Sequence, residues 1–394
     1  MIFQTFDDKK KCVAVYADGK LYRDKPPSPL THTWDYSEAL RDKNIEYAKY
    51  YCGGKSLDEA CPDHFRKEWE EVHRKLEAFY TAVNEAQLNL KEHCFFDLVP
   101  PHFLLNYGCI KGKICAHVFS NFKKPQNYEF LVNLTKVLTE IKNTQLNLNS
   151  TSLDGRRHEF KVRRFLKKIN KIAPYITYDI QGTKTGRLTS KDFPILTMDK
   201  EYRTILKPNH KWFLELDYNA AELRVMLALL GKKQPADDLH EWNLKNIYKG
   251  IGTREKAKKR IFAWLYNPES KDQSSSQEYN REELLEKYWD GTHIKTYFNR
   301  EIEADKHHAL NYIIQSTAAD LFLRQMIKVW ELLKDKKSQI AFCLHDSLIV
   351  DLAEEDEEIV NEIKEEFANT ELGIFKVNVF GGKNFGEMKR MNVK

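Results

Sequence analysis

Two apolar runs that each deliver an aspartate to an exposed turn constrain the fold of this chain more than any other feature. WFLELDY at 212–218 reads as a buried strand ending on Asp217, directly before the helical stretch AAELRVMLALL, which Gly231 can cap. IAFCLHDSLIVDL at 340–352 reads as two strands joined by a tight turn, with Asp346 at the tip in His345-Asp346-Ser347. If the runs are neighbours in one sheet, the two carboxylates converge and can hold two Mg²⁺ ions about 3.5–4 Å apart, an arrangement that serves phosphoryl transfer. Either aspartate by itself is equally an ordinary turn or cap residue.

The rest of the composition narrows the class. A chain of 394 residues, 42% hydrophobic and 31% charged, has the make-up of a globular protein of two or three folding units. No apolar stretch reaches the about 18 residues of a membrane span, and the start MIFQTFDDKKKC lacks the pattern of a secretory signal, so no membrane association and a cytoplasmic location are expected. The seven cysteines are odd in number and include no C-x-x-C pair, which argues against disulfides and structural zinc. The net charge of +5 says little by itself. Its distribution says more, because KVRRFLKKINK at 161–171 and REKAKKR at 254–260 are concentrated basic segments.

Along the chain, CVAVYADGKLY around Gly19 predicts a hairpin with an Asp-Gly turn, and PPSPLTHTW at 26–34 predicts a connector and a boundary. From Pro62 the pattern turns helical, with Trp69, Val72, Leu76, Phe79 and Val83 on one stripe and a second periodic segment over Leu131–Ile141. After a polar, turn-rich interruption at 146–157, the basic 161–171 segment reads as an amphipathic helix burying Val162, Phe165, Leu166 and Ile169. An α+β region follows from Tyr175. DQSSSQE at 272–278 reads as a loop. EEDEEIVNEIKEEF reads as one helix turning Ile359, Ile363 and Phe367 inward, with its carboxylates in solvent.

A third element joins the two aspartates. In REKAKKRIFAWLY, Arg254, Lys258, Phe262 and Tyr266 recur every four residues and share one helix face, so two cations precede two aromatic rings. Such a face can grip a triphosphate at one end and stack a base and sugar at the other.

In this order the three elements resemble motifs A, B and C of the DNA polymerase I-like (family A) DNA polymerases. DYNAAELR at 217–224 is similar to the family's D-Y-S-Q-I-E-L-R, R-x3-K-x3-F-x3-Y to its fingers helix, and HDS at 345–347 to its H-D-E. TGRL at 185–188, DLH at 238–240, NYIIQSTAAD at 311–320 and GGKNF at 381–385 keep the family's order, so the likeness spans roughly residues 160–394.

The resemblance implies a right-hand polymerase with an antiparallel palm sheet. It implies Mg²⁺ ligation by Asp217 and Asp346, triphosphate contacts by Arg254 and Lys258 with His240 nearby, and a nucleotide pocket framed by Phe262 and Tyr266. Glu222 would block a 2′-hydroxyl, while Arg187, Asn311, Gln315 and His345 would touch primer-template DNA through minor-groove acceptors that every base pair presents. The expected division is a hairpin and connector over 1–50, a thumb-like helical region over 50–170, palm over 171–224 and 308–394, and fingers over 225–307. Deoxynucleotides and primer-template DNA are the expected partners. No proofreading exonuclease is expected, with Asp7 and Asp8 at most a remnant, so any exonuclease or replisome protein would be a separate polypeptide.

Three departures stand out: Ser347 where the family has an acidic residue, Asn267 for Gly, and Ala220 for Gln. His307 resembles the family's phage branch and implies a phage source. A single-subunit RNA polymerase shares the aspartates and the Arg-Lys-Tyr helix pattern, although Glu222 speaks against it. A non-catalytic DNA-binding replication factor is the alternative that Ser347 motivates.

Overall fold

The computed structural model describes residues 1–180, 182–267 and 269–393, which form two compact units, Met1–Asn143 and Thr144–Lys394. In the first unit, strands β1 (Phe3–Thr5), β2 (Ala14–Ala17) and β3 (Lys20–Arg23) form an antiparallel sheet in that order. The expected hairpin is β2–β3. Its turn is Asp18-Gly19, both with positive φ (46° and 77°), the geometry that makes Asp-Gly a favoured two-residue hairpin loop.

The long helices of this unit are α1 (Asp63–Glu85), α2 (Pro101–Asn121) and α3 (Tyr128–Asn143). The α1 stripe is as expected, with Trp69, Val72, Leu76 and Val83 buried and Phe79 packed at its edge. Helix α2 is apolar on most of its circumference, and a Cβ at Gly108 would overlap the Tyr16 ring, so glycine there lets helix and sheet approach closely. Cys12, Ala14, Trp34, Trp69, Phe95 and Ile110 belong to one core. Hairpin, Pro-rich stretch and helices thus fold together, and the compact units part after Asn143 rather than at 26–34.

Contrary to the expectation from the cysteine count, Cys12 and Cys94 are disulfide-bonded across a sequence separation of 82. An odd cysteine count leaves free thiols but excludes no pair, and spacing cannot reveal partners that only the tertiary fold brings together.

In the second unit, α4 (Phe160–Ile169) buries Val162, Leu166 and Ile169 and stacks Phe165 on Tyr202 at 4.1 Å. Its cations Lys161, Arg163, Arg164, Lys167 and Lys168 are all exposed. The turn-rich segment before it contains a short strand, Asn147–Leu148, and a 3-10 helix, Ser150–Arg156. Strand β4 (Trp212–Tyr218) then enters α5 (Ala221–Leu229) through Ala220, which adopts a left-handed φ of 55°. Such a conformation costs a non-glycine residue about 1–2 kcal/mol, and it turns the chain sharply off the strand end. Gly231 follows α5 with φ 67°.

Next come α6 (Leu239–Asn246), α7 (Arg254–Tyr266), α8 (Gln273–Glu278), α9 (Arg281–Tyr288) and the long α10 (Ala309–Leu333). Helix α8 occupies the stretch expected to be a loop: Asp272 caps it by accepting from Ser275 N–H, and its side chain also pairs with Arg260 at 2.6 Å. A serine-rich segment has no apolar stripe, so this helix depends on its cap and on buried Ser275, whose hydroxyl lies 2.9 Å from that of Tyr248.

Strands β5 (Gln339–Leu344) and β6 (Ser347–Leu352), helix α11 (Val360–Ala368), β7 (Val377–Gly382) and β8 (Lys389–Arg390) complete the unit. The sheet order is β5-β6-β4-β7-β8, antiparallel throughout, so the two apolar runs are indeed adjacent. Helix α11 turns Ile363 and Phe367 inward, and Tyr218 stacks on Phe367 at 4.4 Å. The acidic stretch begins as a 3-10 helix, Glu354–Ile359, and is not wholly solvated: buried Asp356 accepts from Ser338 N–H and hydroxyl, both at 2.7 Å. Among the described residues no helix is long and apolar enough to cross a membrane.

Candidate active site

The central strand β4 puts Asp217 in register with Ser347 on β6 and with Asn378 on β7. Residues directly opposite in antiparallel strands share a sheet face. Accordingly, the Ser347 hydroxyl donates to Asp217 Oδ1 at 3.0 Å and Asn378 Nδ2 donates to Oδ2 at 3.3 Å. Burial pushes the Asp217 carboxyl up, and these two hydrogen bonds and the charge of Lys258 only partly oppose it.

Asp346 occupies the two-residue turn between β5 and β6, beside His345, whose φ of 54° lets the turn close. Burial, joined by the negative charges of Glu222 and Asp217, pushes its carboxyl up to about 6. No donor hydrogen-bonds this carboxyl among the described residues. The two aspartates are therefore electrostatic neighbours at one end of the sheet's inner strands, in surroundings that disfavour their uncompensated charge.

Helix α7 presents its expected face. Phe262 and Tyr266 stack at 5.9 Å with planes 10° apart, and the His240 ring lies 5.7 Å from Phe262. Arg254 forms a forked pair with Asp238, Nε to Oδ1 at 3.1 Å and Nη2 to Oδ2 at 2.8 Å. Asp238 also caps α6 by accepting from the N–H groups of His240 and Glu241. Although burial works against it, the bonds from Arg254, Glu241 and Asn219 hold this carboxyl far below the usual range. Burial pulls the His240 imidazole down to about 4, so the ring is neutral at physiological pH.

Glu222, buried on the first turn of α5, accepts from Arg187 Nη2 at 2.6 Å through Oε1 and from the Tyr266 hydroxyl through Oε2. This links the segment around Gly186, the strand-to-helix turn and the end of α7. The structure thus brings together Asp217, Asp346, Glu222, Arg187, Lys258 and Tyr266, with His345 facing Arg187 and with His240 and Arg254 adjoining through Phe262 and Asp238. Asn311 and Gln315 lie one turn apart on α10, half-buried, with no described hydrogen bond to the others.

Several participants escaped the sequence reading. Asn378 and Glu215 are ordinary strand positions by pattern, and only strand register brings them to the Asp217 face. Arg224 has a structural role: its guanidinium, fully buried and pulled down to about 10 by burial, spends its donors on the carbonyls of Asn219, Pro235 and Asp237, which shapes the approach to α6. Asp238 was visible in DLH, but its pairing with Arg254 across two helices was not.

The site thus sets a strand-borne aspartate pair beside a cationic and aromatic helix. Residues 266–387 match the model of DNA polymerase family A. DNA polymerase I of Caldicellulosiruptor bescii is 26% identical over 252 residues, covering 50% of this chain and 30% of that protein. The match thus spans less than a third of that relative's length. The POL domain of Pol1 from M. smegmatis, solved in complex with DNA primer-template and dNTP, shares the fold: its TM-score is 0.64 at 11% identity, covering 98% of this chain and 95% of that one. Over residues 266–387 the chain is thus similar to DNA polymerase family A, and it shares the fold of a solved polymerase domain.

Proposed function

We propose that this chain is a template-directed DNA polymerase that adds deoxynucleotides to a primer 3′ end by two-metal nucleotidyl transfer. The observation that carries the reading is the end of the sheet at which Asp217 and Asp346 meet the Glu222–Arg187–Tyr266 cluster. The donor set fits a hard divalent cation, because both aspartates offer carboxylate oxygens and Asp346 has no competing donor among the described residues. Bound Mg²⁺, two ions in this reading, would activate the attacking 3′-hydroxyl and neutralise charge on the departing pyrophosphate.

The protein's own groups supply orientation. Arg254 and Lys258 receive the triphosphate, with Arg254 exchanging the Asp238 carboxylate for phosphate oxygens. Phe262 and Tyr266 stack the base and sugar, and Glu222, held from both sides, fills the space a 2′-hydroxyl would need. Arg187, Asn311, Gln315 and His345 contact the primer terminus and its minor groove. The exposed cations of α4 neutralise backbone phosphates, so affinity for DNA falls as salt rises.

Residues 171–224 and 308–394 serve as palm, 225–307 as fingers, and 50–170 supply the thumb. In the first unit Asp7 is taken up by Lys9 and by the N–H of Phe95, and Asp8 by Lys142, which supports a packing role for them rather than a nuclease role. His307 keeps a phage-type source within this reading. The test is primer extension: incorporation of dNTPs with Mg²⁺ that Asp217→Ala reduces by at least about 1,000-fold supports it. A preference for ribonucleotides would favour the RNA polymerase alternative, and no incorporation a DNA-binding factor.

A further inference from the structure

Ser347 stands where the family has an acidic residue, yet the same sheet face carries another carboxylate. Alternate residues of a strand point to one face, so Glu215 and Asp217 share a side of β4. Asp217 faces Ser347, and Glu215 faces Ile349 in the same register. Glu215 is therefore the diagonal neighbour of Ser347, within reach of its side chain. The Ser347 hydroxyl donates to Asp217 Oδ1 at 3.0 Å, and the same side chain lies diagonally across from Glu215. Ser347 therefore sits between the two carboxylates on one sheet face.

Glu215 is half-buried in the middle strand of the sheet and forms no ion pair within 4 Å among the described residues. Arg203 and Lys200 act on it only at longer range. A strand interior is a costly place for such a carboxylate unless a cation or an ordered water compensates it. No group of three or more acidic, histidine or cysteine side chains among the described residues is close enough to ligate one ion. Direct ligation by Glu215 is thus not the geometry at hand.

We infer that Glu215 supplies from β4 the third negative charge that motif C lacks at position 347, acting on the aspartate pair through Ser347 as a positioning residue. The carboxylate has moved to the adjacent strand, where it orients Asp217 and raises the affinity of the pair for a divalent cation. This rests on the polymerase reading of Asp217 and Asp346.

The test titrates Mn²⁺ alone into the full chain and reads free Mn²⁺ by electron paramagnetic resonance, with no nucleotide or DNA. Glu215→Gln keeps the shape and removes the charge. It should weaken binding about 10- to 100-fold, the usual effect of losing an outer carboxylate. Adding Ser347→Glu to Glu215→Gln should restore affinity to within about threefold of wild type, which a merely structural role would not allow. The same pair of variants should raise, then restore, the Mg²⁺ concentration needed for half-maximal extension. Thermal unfolding in EDTA checks that Glu215→Gln is folded. Unchanged Mn²⁺ affinity in Glu215→Gln, or a loss that Ser347→Glu does not repair, overturns the inference. Asp217→Ala separates the two levels: Mn²⁺ binding that survives in that variant means the aspartate pair is not the metal site, and the polymerase reading fails with it.

Discussion

The Tyr266 hydroxyl donates to Oε2 of Glu222 while Arg187 donates to Oε1 at 2.6 Å, so a carboxylate only 6% exposed is fixed at both oxygens. A side chain held this way is not free to swing aside, and under the proposed function it would exclude an extra hydroxyl on a sugar. Glu222→Ala should therefore lower discrimination against ribonucleotides by about 100-fold in competitive single-nucleotide extension. Tyr266→Phe removes one of the two anchors and leaves the block, so its effect should be smaller. Equal selectivity in wild type and Glu222→Ala would remove Glu222 from the sugar pocket.

The forked Arg254–Asp238 pair links the first turn of α7 to the cap of α6. The guanidinium is already oriented, and under the proposed function its exchange onto a triphosphate would need the fork as well as the charge. Arg254→Lys should accordingly lose about tenfold or more in kcat/KM for the incoming dNTP, mostly through KM, with DNA affinity unchanged. Arg254→Ala should lose more. Kinetic parameters for Arg254→Lys equal to those of wild type would mean that the triphosphate is gripped elsewhere.

Asp346 gives a prediction with a definite sign in pH. Its folded carboxyl titrates near 6 against an ordinary value of 3.8, so ionising it costs the metal-free fold stability that is present below 3.8 and lost as pH rises through 6. Asp346→Asn removes that cost. In EDTA the variant should be more stable than wild type at pH 7.5, by up to about 3 kcal/mol, and the gain should shrink towards zero near pH 4. Denaturant melts at the two pH values measure it. With divalent cation present the order should reverse, because only the ionised carboxylate binds metal. A variant less stable than wild type at both pH values in EDTA would contradict the burial argument.

What the sequence disclosed follows from where the information lies. The strands ending at Asp217 and Asp346, and the helix face of Arg254, Lys258, Phe262 and Tyr266, are local patterns in which period and turn chemistry agree. Helix α2 has no contrasting face, and α8 has no apolar stripe, so neither leaves a periodic trace. Glu215 and Asn378 reach Asp217 through register between strands distant in sequence. The pairing of Cys12 with Cys94 depends in the same way on a fold that joins the N-terminal sheet to the segment before α2.

That pairing leads to the last prediction. The disulfide closes a loop of 82 residues, for which loop-closure entropy alone would give about 4.5 kcal/mol of stabilisation. Other fasteners already join the same segments: Lys9 Nζ donates to Leu90 O at 2.9 Å, Lys11 Nζ to Glu92 O at 3.0 Å, and Phe95 N–H to Asp7 Oδ1 at 3.1 Å. The reduced chain therefore keeps native contacts, and the expected loss is nearer about 2 kcal/mol, at the low end for native disulfides. Cys12→Ser, or reduction of the wild type, should lower the unfolding temperature of the first unit while primer extension by the second unit's residues continues at moderate temperature. Thiol labelling gives the independent check, because half-buried Cys109 should react with iodoacetamide without reductant whereas Cys12 and Cys94 should need it. Ready alkylation of Cys94 in purified, unreduced protein would show that the bond does not form in solution, and the stability difference should then vanish as well.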